Sequence, residues 1–185
     1  GALGAALYVY HVVLGQPRMF VQEHAYWGES LTASGTKRFL DANGIINEEF
    51  QDEDRLCELI VDDLQQGKVV GYAQGRFEWG PRALGNRSIL ADPRGKDMKN
   101  IVNEKIKFRE PFRPFAPAVL EDKAADYFEG LHEPHRQYTA RYMLAVMPWK
   151  DSVGDAVPAV NHVGTGRLQT VREEWNPRYH RLIDL

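Results

Sequence analysis

Hydrophobic residues recur at helical spacing in four parts of the chain and predict four helices. The strongest pattern spans residues 54–66, where Asp52 or Asp54 can cap the helix and Gly67 can end it. The remaining predicted helices span residues 1–11, 97–106 and 123–128. In the helix that Asp97 caps, four apolar residues are predicted to face inward, namely Met98, Ile101, Val102 and Ile106. Its polar residues Asn103, Lys105 and Lys107 are predicted to project elsewhere.

Short apolar or alternating runs predict strands between these helices. The run KVVGYA at residues 68–73 is typical of a strand buried on both faces. Further strands are predicted at residues 88–92, 115–120, 141–147 and 165–171. Because strands alternate with helices, the chain is predicted to form an α+β (mixed α/β) domain.

Three other stretches lack a sustained pattern. Residues 16–51 contain scattered Gly, Ser and Asn and predict a linker or an irregular connection. Polar loops are expected at residues 131–138 and 150–158. Pro81 to Gly85 predicts one helical turn whose free N–H groups would face an anion held by Arg82.

Arginine and glycine are concentrated between Ala73 and Arg113. Glycines recur between Arg76, Arg82 and Arg87 and let the backbone approach a ligand, and Pro114 holds Arg113 in extended geometry. The planar guanidinium suits phosphate and carboxylate oxygens, so this stretch predicts a site for a small polyanion. The alternative is a solvated basic loop with surface ion pairs to Glu78, Asp92 and Glu110.

Composition narrows the class of protein. The 185 residues carry a net charge of −3, which argues against a nucleic-acid binder and favours a small anion as ligand. The single cysteine, Cys57, excludes an internal disulfide and favours an intracellular, cytoplasmic protein, in which this thiol is expected to be a small buried hydrophobe. No membrane partner and no metal site are expected. The histidines at 11, 24, 132 and 135 are interpreted as surface or interface residues because no ligand set lies beside them.

Long motifs in this order resemble a known family. The runs GRFEWGPRALGNRSILADPR, FRPFAPAVL, GRLQTV and NPRYHRLI are similar to the C-terminal region of the NodU/CmcH-type O-carbamoyltransferases of nodulation-factor and antibiotic biosynthesis. The resemblance implies a YrdC-like twisted mixed sheet flanked by helices over residues 52–185, incomplete at its C-terminus. It also implies that residues 1–15 are the last helix of a preceding actin-like domain and that residues 16–51 are a linker. We therefore expect a piece of a longer protein.

The resemblance also implies a reaction. Carbamoyl phosphate and ATP, with Mg²⁺, would form carbamoyl adenylate here, and the actin-like domain of the same protein, which has its own metal, would transfer the carbamoyl group to a small-molecule hydroxyl acceptor. The implied catalytic residues are Arg82, Lys107 and Arg113. The implied substrate-binding residues are Gln74, Arg76, Glu78, Asn86, Arg87, Ser88, Arg109 and Arg167. Glu78 is expected either to orient Arg82 or Arg87, to accept from the carbamoyl amide, or to be an ion-pair partner.

Two departures from the family pattern leave alternatives open. The family has an Asp after the pair His162–Val163, and this chain has Gly164 there. The family also continues past the RLI run with an Asn-Thr-Ser-Phe-Asn segment that helps to bind the nucleotide, and this sequence stops at Leu185. Carbamoyl phosphate binding is thus expected, with adenylate formation left open. The alternatives are a noncatalytic anion- or nucleotide-binding module and a related threonylcarbamoyl-adenylate-forming domain.

Overall fold

A computed structural model describes residues 1–185, which form seven α-helices and five strands in two separate sheets. The helices are α1 (Ala2–Tyr8), α2 (Ala33–Ala42), α3 (Glu53–Gln65), α4 (Met98–Ile101), α5 (Ala124–Tyr127), α6 (Val153–Ala156) and α7 (Pro177–Asp184). The strands are β1 (Val70–Ala73), β2 (Arg87–Leu90), β3 (Ala118–Leu120), β4 (Ala145–Pro148) and β5 (Thr165–Val171). The α+β class is confirmed. The predicted single twisted sheet is divided in two, and the YrdC-like topology stays a prediction.

The first sheet is an antiparallel pair, β1 with β2, in register from Val70 opposite Leu90 to Ala73 opposite Arg87. Helices α3 and α7 cover one side of it, and their shared core contains Cys57, Tyr72, Val171, Tyr179 and Leu182. The helix over residues 54–66 and the burial of Cys57 are confirmed. The prediction that β1 is buried on both faces was wrong, because Gly71 and Ala73 lie on an open face of this small sheet.

The second sheet has the order β3-β5-β4, with β3 parallel and β4 antiparallel to β5. Its core includes Phe128, Leu131 and Leu168, which are almost fully buried, and Trp149 stacks on Phe128 with ring centroids 4.2 Å apart. The strand predicted at 165–171 is confirmed as β5. The one predicted at 115–120 shortens to Ala118–Leu120, since Pro117 has no N–H to donate to a ladder.

Helix α4 continues as one π-helical segment, Val102–Ile106, and this changes which residues face inward. The i→i+5 hydrogen bonds of a π segment rotate the following side chains relative to an α-helix. Asn103 is therefore fully buried and Ile106 is 43% exposed, so both of their predicted orientations were wrong. The prediction of a helix there is confirmed, as is the helix over residues 1–11, which also ends in a π segment, Val9–Val13.

Residues 16–51, predicted as a linker or an irregular connection, contain regular structure, while their role as a linker stays a prediction. They contain α2, where the Thr32 side chain caps Gly35 N at 3.1 Å, and a segment that pairs with the β1–β2 loop through Gly28 N to Phe77 O at 2.9 Å. No residue of α2 is buried, although its sequence is as amphipathic as that of α3, so the sequence analysis missed a helix whose pattern was present. The domain boundaries predicted at 15 and 51 stay predictions.

Other elements also differ from the sequence analysis. Residues expected to begin a strand at 141 form a 3₁₀ turn, Ala140–Tyr142, and the strand starts at Ala145. The loop predicted at 150–158 contains the short helix α6. Helix α7 was not predicted, although Asn176 caps it and Pro177 occupies its first turn. No helix has the length and apolar character needed to cross a membrane.

Candidate anion-binding site

The loop between β1 and β2 is folded around the carboxylate of Glu78. Its Oε1 accepts the backbone N–H groups of Leu84 at 2.6 Å, Asn86 at 2.8 Å and Arg87 at 3.2 Å. The helical turn predicted at residues 81–85 was wrong, because these N–H groups converge on a side-chain oxygen and no helical turn forms. The anion that faces them is thus the protein's own Glu78.

Side-chain amides fix this loop to helix α7. The Asn176 Oδ1 accepts from Gln74 Nε2 at 2.7 Å, and its Nδ2 donates to Asn86 Oδ1 at 2.9 Å and to the Tyr26 hydroxyl at 3.1 Å. Gly85, with φ +101°, lies so close to Tyr179 that a Cβ there would be 2.3 Å from its Cδ1. Only glycine fits this approach, and the network therefore holds the loop in one position.

Several residues predicted to bind substrate form hydrogen bonds to the backbone, and their substrate-binding role stays a prediction. Gln74 Nε2 also donates to Gly85 O at 3.1 Å, Asn86 Nδ2 donates to Arg76 O at 2.8 Å, and Ser88 Oγ accepts from Gly85 N at 2.9 Å. Each of these side chains thus satisfies a polar group of the turn, which was the alternative role that the sequence allowed for such neutral residues.

Arg76 and Arg87 also donate to carbonyls. Arg76 Nε donates to Gly28 O at 3.0 Å, which fastens the loop to residues 22–31, here called the connecting segment. Arg87 donates to the carbonyl oxygens of Gln74, Gly75 and Asn86, and its guanidinium carbon lies 3.8 Å from the Phe77 ring centroid. In this structure both arginines stabilise the loop.

A second set of predicted residues forms a group of cations, which we call the cationic cluster. Its members are Arg82, Lys107, Arg109, Arg113 and Arg167. Burial lowers the pKa of the Arg167 guanidinium, and the charge of Arg82 lowers it further. Loss of solvent around the Lys107 ammonium lowers its pKa, and Arg109 adds to this effect. Neighbouring members of the cluster therefore repel one another, with Arg82, Arg109 and Arg167 partly buried and Lys107 and Arg113 on the exposed surface.

Arg109 lies at the centre of this repulsion. Burial lowers its pKa first, the charges of Arg113 and Arg167 lower it next, and only Glu110 opposes them. Its guanidinium carbon lies 4.7 Å from the centroid of the Phe115 ring. The opposing carboxylate is itself engaged, because Glu110 Oε2 pairs with Arg113 Nε at 2.7 Å on the exposed surface.

Most of the cationic cluster lacks an acceptor from the protein. Arg82, Lys107 and Arg167 form no ion pair, Arg109 donates only to the neutral Asn103 amide, and the Nε of Arg167 is buried without a hydrogen-bond partner. A solvated basic loop with surface ion pairs describes Arg113 and the exposed pair Arg94–Asp92, and Lys107 is also exposed, but Arg82, Arg109 and Arg167 are partly buried. Because unpaired, partly buried cations are costly, the cluster is suited to a ligand that supplies several anionic oxygens.

Asn103 positions the loop that carries three members of the cluster. Its buried side chain donates to Arg113 O at 3.1 Å and to Pro111 O at 3.3 Å, and its Oδ1 accepts from Arg109 Nε at 2.7 Å. The sequence analysis missed this residue. The proline-rich run after the helix could have indicated its role. Prolines have no N–H group, so the carbonyl groups of this run need hydrogen-bond donors from elsewhere, such as a side-chain amide.

His162 belongs to a tight turn rather than to a ligand set. It exchanges hydrogen bonds with Thr165, N to O at 2.8 Å and O to N at 3.0 Å, across Val163 and Gly164, which both have positive φ. The family pattern has an Asp after Val163, whereas this chain has Gly164, and the turn closes without the Asp side chain. No group of three or more His, Cys, Asp or Glu side chains is arranged to hold a metal ion.

Comparisons with known proteins point to one family. The model of the carbamoyltransferase C-terminus matches residues 61–185. The nodulation protein NolO of Bradyrhizobium diazoefficiens is 42% identical over 187 residues, which cover 99% of this chain and 33% of that protein. The 3'-hydroxymethylcephem-O-carbamoyltransferase of Amycolatopsis lactamdurans is 44% identical over 122 residues, which cover 65% of this chain and 22% of that enzyme. The chain therefore spans one third or less of the length of these relatives.

Proposed function

The chain belongs to the carbamoyltransferase C-terminal family, and on that basis we propose that it is the part of an O-carbamoyltransferase that binds carbamoyl phosphate and ATP and forms carbamoyl adenylate. The carbamoyl group would then pass to a hydroxyl of a small molecule. The actin-like domain expected in the same protein would catalyse that transfer. A nodulation factor or an antibiotic-like compound is the proposed class of acceptor, by analogy with the named relatives.

The observation that supports this proposal is that Arg82 and Arg167, which are partly buried members of the cationic cluster, have no acceptor from the protein. Carbamoyl phosphate and ATP carry several phosphate oxygens, and arginine forks can bind two of them at once. Arg82 and Arg167 have no protein acceptor, so a phosphate between them would gain hydrogen bonds without breaking existing ones. It would also relieve the repulsion that lowers the pKa of Arg167.

The catalytic roles proposed for three cations depend on the negative charge that develops during the reaction. Inorganic phosphate would leave carbamoyl phosphate as water adds to give carbamate, and pyrophosphate would leave ATP as a carbamate oxygen attacks the α-phosphorus. Negative charge develops on phosphoryl oxygens in both steps, and fixed donors stabilise it with little reorganisation. We assign this role to Arg82, Lys107 and Arg113. Arg109 and Arg167 would hold the substrate phosphates, while Glu78 keeps the loop of Arg82 in place through three backbone N–H groups.

Magnesium would enter with the nucleotide. No cluster of carboxylates and histidines offers a complete cation site, and Mg²⁺ bound to ATP commonly keeps phosphate oxygens and waters as most of its ligands. The protein's own task would then be to bind and orient the phosphates.

The first prediction tests substrate binding by Arg82. Calorimetric titration of the full-length protein with carbamoyl phosphate should give binding that is selective over acetyl phosphate and inorganic phosphate. Arg82→Ala should weaken that binding roughly 10- to 150-fold, which corresponds to about 1.5–3 kcal/mol for hydrogen bonds to a charged group. Arg94→Ala is the matched control, because Arg94 is exposed and already paired with Asp92 at 2.6 Å.

Two outcomes would contradict the proposal. Equal affinity for all three phosphates would favour a noncatalytic anion-binding module. An equal loss in both variants would mean that only the general positive charge of this surface matters. Selective binding followed by release of pyrophosphate from ATP in the presence of carbamoyl phosphate would support adenylate formation.

A further inference from the structure

Phe108 has two unfavourable features at once. Its φ is +48°, in the left-handed region that side chains other than glycine rarely adopt, and its side chain is 84% exposed. It directly follows Lys107, which is the C-cap of the π segment. The residue after the C-cap of a helix, here Phe108, is commonly glycine. A large apolar residue is thus held in strained backbone geometry and gains nothing from burial.

The surrounding loop enforces this geometry. Lys107 N donates to Val102 O at 2.9 Å on one side of Phe108, and Arg109 N donates to Asn103 O at 3.0 Å on the other. The buried Asn103 side chain then fixes the loop through Arg109 Nε at 2.7 Å. Strain of this kind persists where neighbouring contacts overdetermine it, and it is concentrated at ligand sites.

The exposed ring lines an open groove together with charged side chains. The groove is formed by Glu104, Phe108, Arg109, Glu110 and Arg113. Its two guanidinium groups belong to the cationic cluster and suit phosphate, whereas its two carboxylates would repel a ligand that is anionic throughout. A ligand with phosphates at one end and an uncharged, planar, N–H-bearing ring at the other matches this arrangement.

We propose that Phe108 is a stacking platform for the nucleobase of the nucleotide that binds at the cationic cluster. This inference rests on the proposed function, which requires a nucleotide there. The phosphates lie toward Arg109 and Arg113, and the base lies on the Phe108 ring. Glu104 and Glu110 supply acceptors for ring or amino N–H groups. Aromatic stacking then separates nucleotides from inorganic polyphosphates that carry the same charge.

The test compares ATP with inorganic tripolyphosphate as ligands of the full-length protein. Phe108→Ala is expected to weaken ATP binding roughly 5- to 150-fold, the effect of losing one base stack, and to leave tripolyphosphate binding unchanged. Phe108→Gly should lose the same ATP affinity and raise the melting temperature, since glycine adopts positive φ without strain. Phe108→Trp should retain ATP binding.

Phe112 provides the matched control. It lies on the same loop and is 70% exposed, but it does not line the groove and has no positive φ. Phe112→Ala should leave both affinities unchanged. An equal loss of ATP affinity in both alanine variants, or no loss in Phe108→Ala, would overturn the platform. If neither ATP nor tripolyphosphate binds the wild-type protein, the proposed function itself fails, so the two failures are distinguishable.

Discussion

Asn103 holds the loop that carries Arg109 and Arg113 by three hydrogen bonds. One fully buried amide satisfies Arg109 Nε and the carbonyl groups of Pro111 and Arg113, and it is the polar residue that the π segment turns inward. An amide in this position supplies both donors and an acceptor, which no aliphatic residue of similar size can do. The placement of the cationic cluster thus depends on a neutral residue.

Asn103→Ala should lower the free energy of unfolding by roughly 1–3 kcal/mol, because it leaves Arg109 Nε and two carbonyls without partners. It should also weaken carbamoyl phosphate binding, because the loop of Arg109 and Arg113 is no longer held. Urea unfolding and calorimetry measure the two effects. Asn100→Ala, at an exposed position of the same helix, should change neither property measurably. Normal stability and affinity in Asn103→Ala would show that the loop is held by other contacts.

Residue types were easier to predict than residue roles. The sequence indicated that arginines and lysines from distant motifs meet, and the structure brings Arg82, Lys107, Arg109, Arg113 and Arg167 into one cluster. It did not indicate that Arg87 would donate to three carbonyls or that Asn103 would be buried. Both depend on backbone geometry, a loop in one case and a π segment in the other, that has no local sequence pattern.

At the scale of the elements, the conformation of the β1–β2 loop is held by one carboxylate oxygen of Glu78, which accepts three backbone N–H groups where a helical turn was predicted. Glu78→Ala should therefore raise the hydrogen-exchange rates of the Leu84, Asn86 and Arg87 amides, and should cost roughly 1.5–3 kcal/mol in unfolding free energy. Glu78→Gln keeps an oxygen acceptor and should have a smaller effect on both measurements.

Glu29→Gln is the control for this variant, because that side chain is exposed and makes no hydrogen bond. Unchanged exchange of the three amides in Glu78→Ala would contradict the structural role. Loss of carbamoyl phosphate binding with normal exchange would instead favour the alternative in which Glu78 accepts from the carbamoyl amide.

Elements with a buried apolar face were mostly predicted, and the exposed helix α2 was missed. Helix α3 packs Cys57, Ile60 and Val61 into the core and strand β5 buries Leu168 and Val171, so their apolar residues were sufficient to predict both elements. Helix α2 buries no residue and has the Thr32 cap and the exposed Lys37–Asp41 pair, and the sequence analysis missed its short amphipathic pattern, which Gly35 interrupts. Helix α7 did have a local signal, an asparagine cap followed by proline, and it could have been predicted.

At the scale of the whole molecule, a buried ion network joins the connecting segment to the second sheet. Arg141 donates to Glu121 at 2.9 Å and to Glu23 at 2.5 Å, and Arg172 reaches Glu121 at 3.3 Å. Burial alone would lower the pKa of Arg141, but the hydrogen bond and charge of Glu121, and then of Glu23, raise it on balance. Pairings between positions so far apart in the chain leave no local sequence pattern, which is why a strand was predicted to begin at residue 141.

Arg141→Met should destabilise the protein by roughly 3–5 kcal/mol, because it removes the main partner of the buried Glu121 carboxylate. Methionine has no charge or N–H group with which to replace that partner. Glu23→Gln should cost less than about 1 kcal/mol, since Glu23 is partly exposed and its loss leaves the Arg141–Glu121 pair intact. It should nevertheless increase proteolytic cleavage within the connecting segment. Arg136→Met, which breaks an exposed pair with Glu133, should be nearly neutral. If Arg141→Met and Arg136→Met unfold at the same urea concentration, the network contributes nothing beyond a surface pair, and the connecting segment must be held by its contacts with the β1–β2 loop and with Asn176.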